Sequence, residues 1–276
     1  MTPRAFAVGE HTLRRRRRCR LSSMRRLLLC LLLAVALPAQ AERPPIVAAA
    51  SDLQVVLPLI AEAFELETGH ALRLQFGSSG NFRRQIAQGA PFELYLSADE
   101  SYVRALVGSG HLRDAGALYA IGRLAVIGPV DADSDVASLD ALADTLKQGT
   151  LRRFSIANWE HAPYGVAARE ALENAGLWQA IQPHLILGDD VAQSTRHALS
   201  PDTDGGIVAL PLMKPRAARI ERSWQPLDPA LHEPLRQRMA MTQRAGPVAE
   251  AFFDFMLSPT SRELLEHHGF GLPDTD

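Results

Sequence analysis

The chain has 276 residues, 47% of them apolar, with 29 basic and 31 acidic side chains and two cysteines, a balance that excludes a disordered or a disulfide-stapled protein. Residues 1–41 hold nine of the arginines and one glutamate, so the 235 residues that follow keep 20 basic and 30 acidic side chains, a net charge of −10. An acidic body argues against nucleic acid as a partner, and any anion it binds must be held by local dipoles rather than by the overall field.

Taken in chain order, the first segment is a secretory signal peptide. Arg25-Arg26 open it, residues 27–37 are an apolar run too short to span a bilayer, and Ala39-Gln40-Ala41 supply the small residues of a cleavage site. The basic run 14–18 either extends this leader or lies upstream of a true start at Met24. Cys19 and Cys30 both fall in the removed segment, and Leu29 stands where a lipid anchor on Cys30 would need a small residue. The exported body therefore has no thiol chemistry, and a soluble periplasmic protein without membrane insertion is expected.

From residue 46 onward, strand-like and helix-like patterns alternate with short connections, which predicts an α/β fold on parallel strands. A strand over 46–50 leads to Ser51 and an amphipathic segment that stops at Gly69. Pro58 either kinks that segment or opens a second helix within it. A strand over 71–76, a helix over 81–88 and a strand over 93–97 follow, and Asp99 caps a helix to Gly108. Residues 119–127 read as one long apolar strand, succeeded by a helix over 138–147. The pattern then restarts with strands at 153–157, 185–187 and 206–210 and helices at 164–175 and 191–199. An extended segment at 234–243 precedes two helices, 247–257 and 259–268, the second opened by Ser258 and Pro259. Two such runs joined by long strands imply two lobes with a double hinge crossover, 42–122 with about 240–276 forming one and about 123–239 the other. A hinge of this kind closes on a ligand held between the lobes.

Four strand-to-helix turns carry the candidate chemistry: the one at Ser51, Gly77-Ser78-Ser79-Gly80, His161-Ala162-Pro163-Tyr164-Gly165, and Gly188-Asp189-Asp190-Val191. At such turns free backbone N–H groups and the helix dipole favour negative charge, and open α/β sheets bind ligands beyond the carboxyl ends of their strands. The plain reading of Ser51 and Ser79 is that each caps its helix. Tyr164 is either a hydroxyl donor in the cleft or a surface aromatic in a loop, and Arg83 and Arg84 read as a solvated helix face. The nine histidines make no metal pattern. Gly77-Ser78-Ser79-Gly80 misses the Gly-x-Ser-x-Gly nucleophile elbow by one residue, which leaves a periplasmic serine hydrolase built on Ser79 as the alternative from another class.

AAASDL at 48–53, FGSSGNFRRQIAQGAPFELYLSADE at 76–100, IANWEHAPYGVAAREAL at 156–172, GDDV at 188–191 and GIVAL at 206–210 resemble the ModA family, the periplasmic molybdate-binding proteins of ABC transporters. The similarity extends from about residue 46 to GFGLP at 269–273, and the block from GSSG to SADE is its most specific part. The resemblance implies a two-lobed type II periplasmic binding protein, a monomer without enzymatic activity or cofactor. It would hold molybdate, and also tungstate, by hydrogen bonds without a countercharge and deliver it to an inner-membrane ABC permease. Molybdenum would be present only within the oxyanion, with no direct bond to the protein. Carried over position by position, Ser51 and Ser79 would give hydroxyl and N–H donors, and Ala98, Tyr164 and Val191 would give backbone N–H groups, with Asp52 and Ser78 as further candidates. Two positions depart from the family pattern. Ala209 stands where many members have a tyrosine whose hydroxyl meets the anion, so either binding is weaker or Tyr164 replaces that donor. Asp52 adds a carboxylate that favours the helix dipole but would have to point away from a bound dianion. Sulfate, phosphate or a small organic acid are the rival ligands.

Overall fold

The computed structural model of the chain describes residues 43–128, 137–220 and 222–273. The expected signal peptide, with Met24, Cys19 and Cys30, lies outside the described residues.

Ile46–Ala50 (β1) is an apolar run buried almost throughout, as befits a parallel strand covered on both faces. The segment after it divides at Val55. Ser51–Gln54 forms one 3₁₀ turn and Val56–Thr68 (α1) an α-helix. Pro58 falls in the first turn of α1, where an N–H has no intrahelical partner, so it neither kinks the helix nor opens it. Gly69 ends α1 with a left-handed φ of 75°, a conformation that costs glycine little. Arg73–Gly77 (β2), Ser79–Ala87 (α2), Leu94–Ser97 (β3) and Glu100–Gly108 (α3) follow. Helix α2 starts two residues earlier than the sequence pattern predicts, because Ser78 caps it by accepting a bond from Asn81 N at 3.3 Å.

The expected strand over 119–127 is two strands. Ala117–Gly122 (β4) and Leu124–Ile127 (β5) lie in different sheets, with Arg123 the single residue between them. The second half then runs Leu139–Gln148 (α4), Phe154–Ala157 (β6), Pro163–Asn174 (α5), Trp178–Ile181 (α6), Leu185–Gly188 (β7), Val191–Ala198 (α7), Gly205–Ala209 (β8), Leu210–Met213 (α8) and Trp224–Pro226 (β9). Leu235–Met241 (β10), Pro247–Met256 (α9) and Pro259–His267 (α10) complete the described elements. Strand β9 and helices α6 and α8 were not expected. They span three or four residues, too short for periodicity to register.

The first sheet has the order β2-β1-β3-β10-β4 and the second β7-β6-β8-β5-β9. In the first, β1 is parallel to β2 and β3 while β10 runs antiparallel to β3 and β4. In the second, β6 is parallel to β7 and β8 while β5 runs antiparallel to β8 and β9. Each sheet thus holds one strand that has just arrived from the other half, β10 in the first and β5 in the second. The chain crosses at Arg123 and returns through 227–234, ahead of β10.

Leu53, Leu57, Ile60 and Phe64 pack on one face of the first sheet with Phe252 and Met256, and the Phe64 ring meets that of Phe252 edge-on at 5.1 Å. Phe82, Ile86, Tyr95 and Leu106 fill the other face. The second sheet is covered by Leu142, Leu172 and Ile181 on one side and by Ala198, Leu210 and Met213 on the other. Full burial of each such large side chain stabilises the fold by about 1.5–3 kcal/mol. That fixes the sheets, and with them the turns at their carboxyl edges. No helix among the described residues is long and apolar enough to cross a membrane.

Candidate functional site

Parallel strands end at a common edge, so the turns after β1, β2 and β3 are neighbours, as are those after β6 and β7. One small cavity receives all five turns. It is lined by Ser51, Asp52, Ser78, Ser79, Ala98, Tyr164 and Val191, every site residue named from the sequence, together with Ala50, Gly77, Ala162 and Pro163. Arg83 and Arg84 take no part. Arg83 lies over the Tyr102 ring at 5.2 Å and Arg84 bonds to Asn81.

The plain reading of the two serines fails. Neither Ser51 nor Ser79 caps a helix: the residue before the first turn is Ala50, without a side-chain cap bond, and the cap of α2 is Ser78. Both hydroxyls are buried and accept a backbone N–H instead. Ser51 Oγ accepts from Ala192 N at 3.3 Å across the two halves, and Ser79 Oγ accepts from Ala98 N at 3.0 Å. A hydroxyl that accepts such a bond still has its own proton to give, and among the described residues neither of these two donates to a protein acceptor. The amides of Tyr164 and Val191 lie in the first turns of α5 and α7, where no intrahelical carbonyl serves them. The Ala98 amide, in contrast, is already engaged by Ser79.

Tyr164 is no surface aromatic, being only 2% exposed. Its hydroxyl does not face an open cleft either, since it donates to Asp52 Oδ2 at 3.0 Å. Gln237 Nε2 donates to the same oxygen, and Gln237 Oε1 accepts from Tyr119 OH at 2.8 Å. Tyr119, Gln237, Asp52 and Tyr164 therefore form a buried polar chain running from β4 through β10 to the 3₁₀ turn and on to α5. Gly122 makes room for it, because a Cβ there would lie 2.7 Å from the Tyr164 hydroxyl and 2.9 Å from Gln237 Nε2. The register of β10 against β4 shifts between Gln237 and Arg238, an irregularity of the kind that re-aims a side chain.

Burial pushes the Tyr164 and Tyr119 phenols well above their ordinary range, so both remain protonated donors. Burial also raises the Asp52 carboxyl from 3.8 to about 6, against the opposing effect of its bonds from Gln237 and Tyr164. Its second oxygen, Oδ1, is buried and has no hydrogen-bond partner among the described residues. The backbone N–H groups of Asp52 and Leu53 favour the ionised form but form no bond of ordinary geometry to it. Ala209 is fully buried at the end of β8 and brings no donor.

A second set of contacts joins the halves beside the cavity. Gly80 N donates to His161 O at 2.9 Å, and Ser78 Oγ pairs with His161 Nδ1 at 3.0 Å. A serine beside a histidine invites a hydrolytic reading, but among the described residues no carboxylate orients this imidazole, and Ser78 already serves as the cap of α2. Gln237 was not singled out from the sequence, and His161 was named only as the first residue of the third turn, with no role of its own. Alternation along β10 places Gln237 on the same buried face as Leu235 and Met239, a polar residue among apolar ones that signals its role. Nothing local marks His161.

The family model for bacterial extracellular solute-binding proteins matches residues 46–271. The molybdate-binding protein ModA of Azotobacter vinelandii is 31% identical over 229 residues, covering 82% of this chain and 89% of its own. ModA of Rhodobacter capsulatus is 32% identical over 246 residues, covering 88% and 93%. Among solved structures, the periplasmic molybdate-binding protein of Azotobacter vinelandii aligns with a TM-score of 0.75 at 28% identity, covering 83% of this chain and all of the other.

Proposed function

Because the chain belongs to the bacterial extracellular solute-binding protein family, we propose that it is a periplasmic receptor that captures molybdate, and also tungstate, for import by an inner-membrane ABC permease. It binds and releases its solute without chemistry. One observation carries this reading: neutral donors from four turns on two sheets, those after β1, β2, β6 and β7, converge on a single cavity whose lining contains no arginine or lysine. A tetrahedral oxyanion is matched by such a set, since hydrogen bonds to a charged acceptor are worth about 1.5–3 kcal/mol each. The relatives named molybdate-binding support the choice of anion.

In this reading the Ser51 and Ser79 hydroxyls and the amides of Tyr164 and Val191 meet the oxyanion, while Ala98 acts by holding the Ser79 hydroxyl in place. Ser78 stays with its helix cap and His161. The lobe divisions proposed here lie at Arg123 and within 227–234, so that the whole of β10 joins the first lobe instead of being divided near residue 239. Closure brings Ser51 and Ser79 onto Tyr164 and Val191, and the protein works as a monomer. Discrimination against sulfate comes from cavity size, because the two anions have the same charge and the same hydrogen-bonding demands.

Calorimetric titration with molybdate, tungstate, sulfate and phosphate tests the proposal. Molybdate and tungstate are expected to bind tightest, and tighter binding of sulfate than of molybdate would overturn the assignment.

A further inference from the structure

We propose that Asp52 binds the oxyanion as a neutral acid, its Oδ1–H donating to an anion oxygen, so that the protein takes up one proton with each anion. The inference rests on the oxyanion reading above and adds a ligand and a proton to it.

The hydrogen bonds decide where the proton sits. Oδ2 accepts from two donors, Tyr164 OH and Gln237 Nε2. The orientation of the Gln237 amide is set from behind, because Tyr119 OH donates to its oxygen and leaves the nitrogen facing Asp52. Protons already point at Oδ2 from two sides, so the acid proton belongs on Oδ1. That is the oxygen left buried without a partner on a residue that lines the cavity. A protonated Oδ1 with no acceptor is costly in a closed fold, and an ionised one left without a donor of ordinary geometry is costlier still. An anion oxygen satisfies the first and cannot satisfy the second.

Among the described residues, none around the cavity supplies a cation to offset a carboxylate. Tyr164 approaches from α5, and Tyr119 from β4 through Gln237; both stay neutral. From the elements packed against the 3₁₀ turn, the residues that reach the cavity or bond to the turn are Ala50 of β1, Gly77 of β2, and Val191 and Ala192 of α7, none of them charged. Helix α8 consists of apolar residues, and among the described residues no cation of α1 acts on Asp52. His161 stands beside the cavity paired with Ser78. Burial, offset in part by the hydrogen bonds to the carboxyl, already holds Asp52 at about 6, and a dianion beside it raises that value further. The proton comes from solvent on closure and returns to solvent when the lobes part. The re-ionised carboxylate then repels the anion and favours its release.

The test is titration calorimetry of the wild-type protein with molybdate from pH 6.5 to 8.5, each pH in buffers of different ionisation enthalpy. The expected result is uptake of about one proton per anion and an affinity that falls by up to about tenfold per pH unit, until the carboxyl of the bound state itself ionises. In Asp52→Asn the amide oxygen takes both bonds from Tyr164 and Gln237 and the NH₂ faces the anion. That variant is expected to bind molybdate with no proton uptake and with an affinity independent of pH. A wild-type affinity that changes less than about twofold over this range, without proton uptake, overturns the proposal. So does proton uptake that persists in Asp52→Asn. Absence of molybdate binding at every pH would overturn the oxyanion reading instead. Should the variant not fold, the wild-type proton count decides alone.

Discussion

Gly80→Ala isolates the closure of the two lobes from the chemistry of the site. Gly80 lies in the first turn of α2 and touches the opposite lobe through its amide, which donates to His161 O at 2.9 Å. A Cβ at this position would stand 2.6 Å from that same carbonyl oxygen and 3.0 Å from both Cα and Cβ of His161. The obstacle is backbone, which cannot swing aside, so the lobes must stay apart by several tenths of an ångström. Losing the bond costs about 1 kcal/mol, and overpacking typically adds about 1–3 kcal/mol. The closed state is therefore raised by about 2–4 kcal/mol, which corresponds to a roughly 30- to 700-fold weaker Kd for molybdate. The three heavy atoms nearest the new methyl group all belong to His161 of the other lobe, so the thermal midpoint of the variant with its lobes parted should match that of the wild type. Calorimetric affinity and thermal unfolding measured side by side check both halves of this expectation. An affinity within twofold of wild type would refute the view that the Gly80–His161 contact belongs to the ligand-bound state.

Tyr164→Phe removes a donor to Asp52 but no donor to the anion, so it should lower stability by about 1 kcal/mol and move the pH profile of molybdate affinity upward, because the lost bond favoured the ionised carboxyl. A uniform loss of affinity at every pH, read by titration across pH 6.5–8.5, would instead make the hydroxyl a direct ligand. Asp52 also links folding to pH. Its folded value of about 6 lies above the ordinary 3.8, so the folded state holds the proton more tightly, stability falls as pH rises from about 4 through 6, and above 6 the deficit is on the order of 3 kcal/mol. Thermal midpoints of unliganded Asp52→Asn should accordingly exceed those of wild type above pH 6 by more than they do at pH 4, and a gap that does not change with pH would contradict this.

What could be read from the sequence follows from the range over which each signal acts. Apolar runs bounded by serine or glycine, as at Ala50-Ser51 and Gly77-Ser78, mark strand ends locally, and the strand ends bring all the named site residues to one cavity. The break at Arg123 was missed because 119–127 is apolar on both sides of it. The two halves separate only because one pairs with β10 and the other with β8, and pairing is a tertiary fact. The same holds for donor roles. Ser51 and Ser79 look like caps in one dimension, and only the bonds from Ala192 and Ala98 assign their hydroxyls otherwise. Whether the Tyr164 hydroxyl meets an anion or a carboxyl depends on Asp52, 112 positions away, and on Gln237, 73 positions away.

The two departures from the family pattern, Ala209 and Asp52, become one change when the charges are weighed together. Unit charges about 4 Å apart at an effective dielectric near 20 interact by about 4 kcal/mol, and a dianion doubles that figure. An ionised Asp52 on the cavity wall would thus cancel the gain from several hydrogen bonds worth about 1.5–3 kcal/mol each. Protonated, the same side chain costs no repulsion and supplies one O–H donor. That is one donor, the number that the resemblance to the ModA family implies is missing at Ala209. Tyr164 cannot make up the difference, because its single proton is already given to Oδ2. Its contribution is to keep that oxygen an acceptor, so that the acid proton stays on the oxygen the anion can reach. A tyrosine donor binds alike at pH 6 and pH 8, whereas a carboxylic acid donor ties affinity to proton activity and gives the parted lobes a charge that expels the anion.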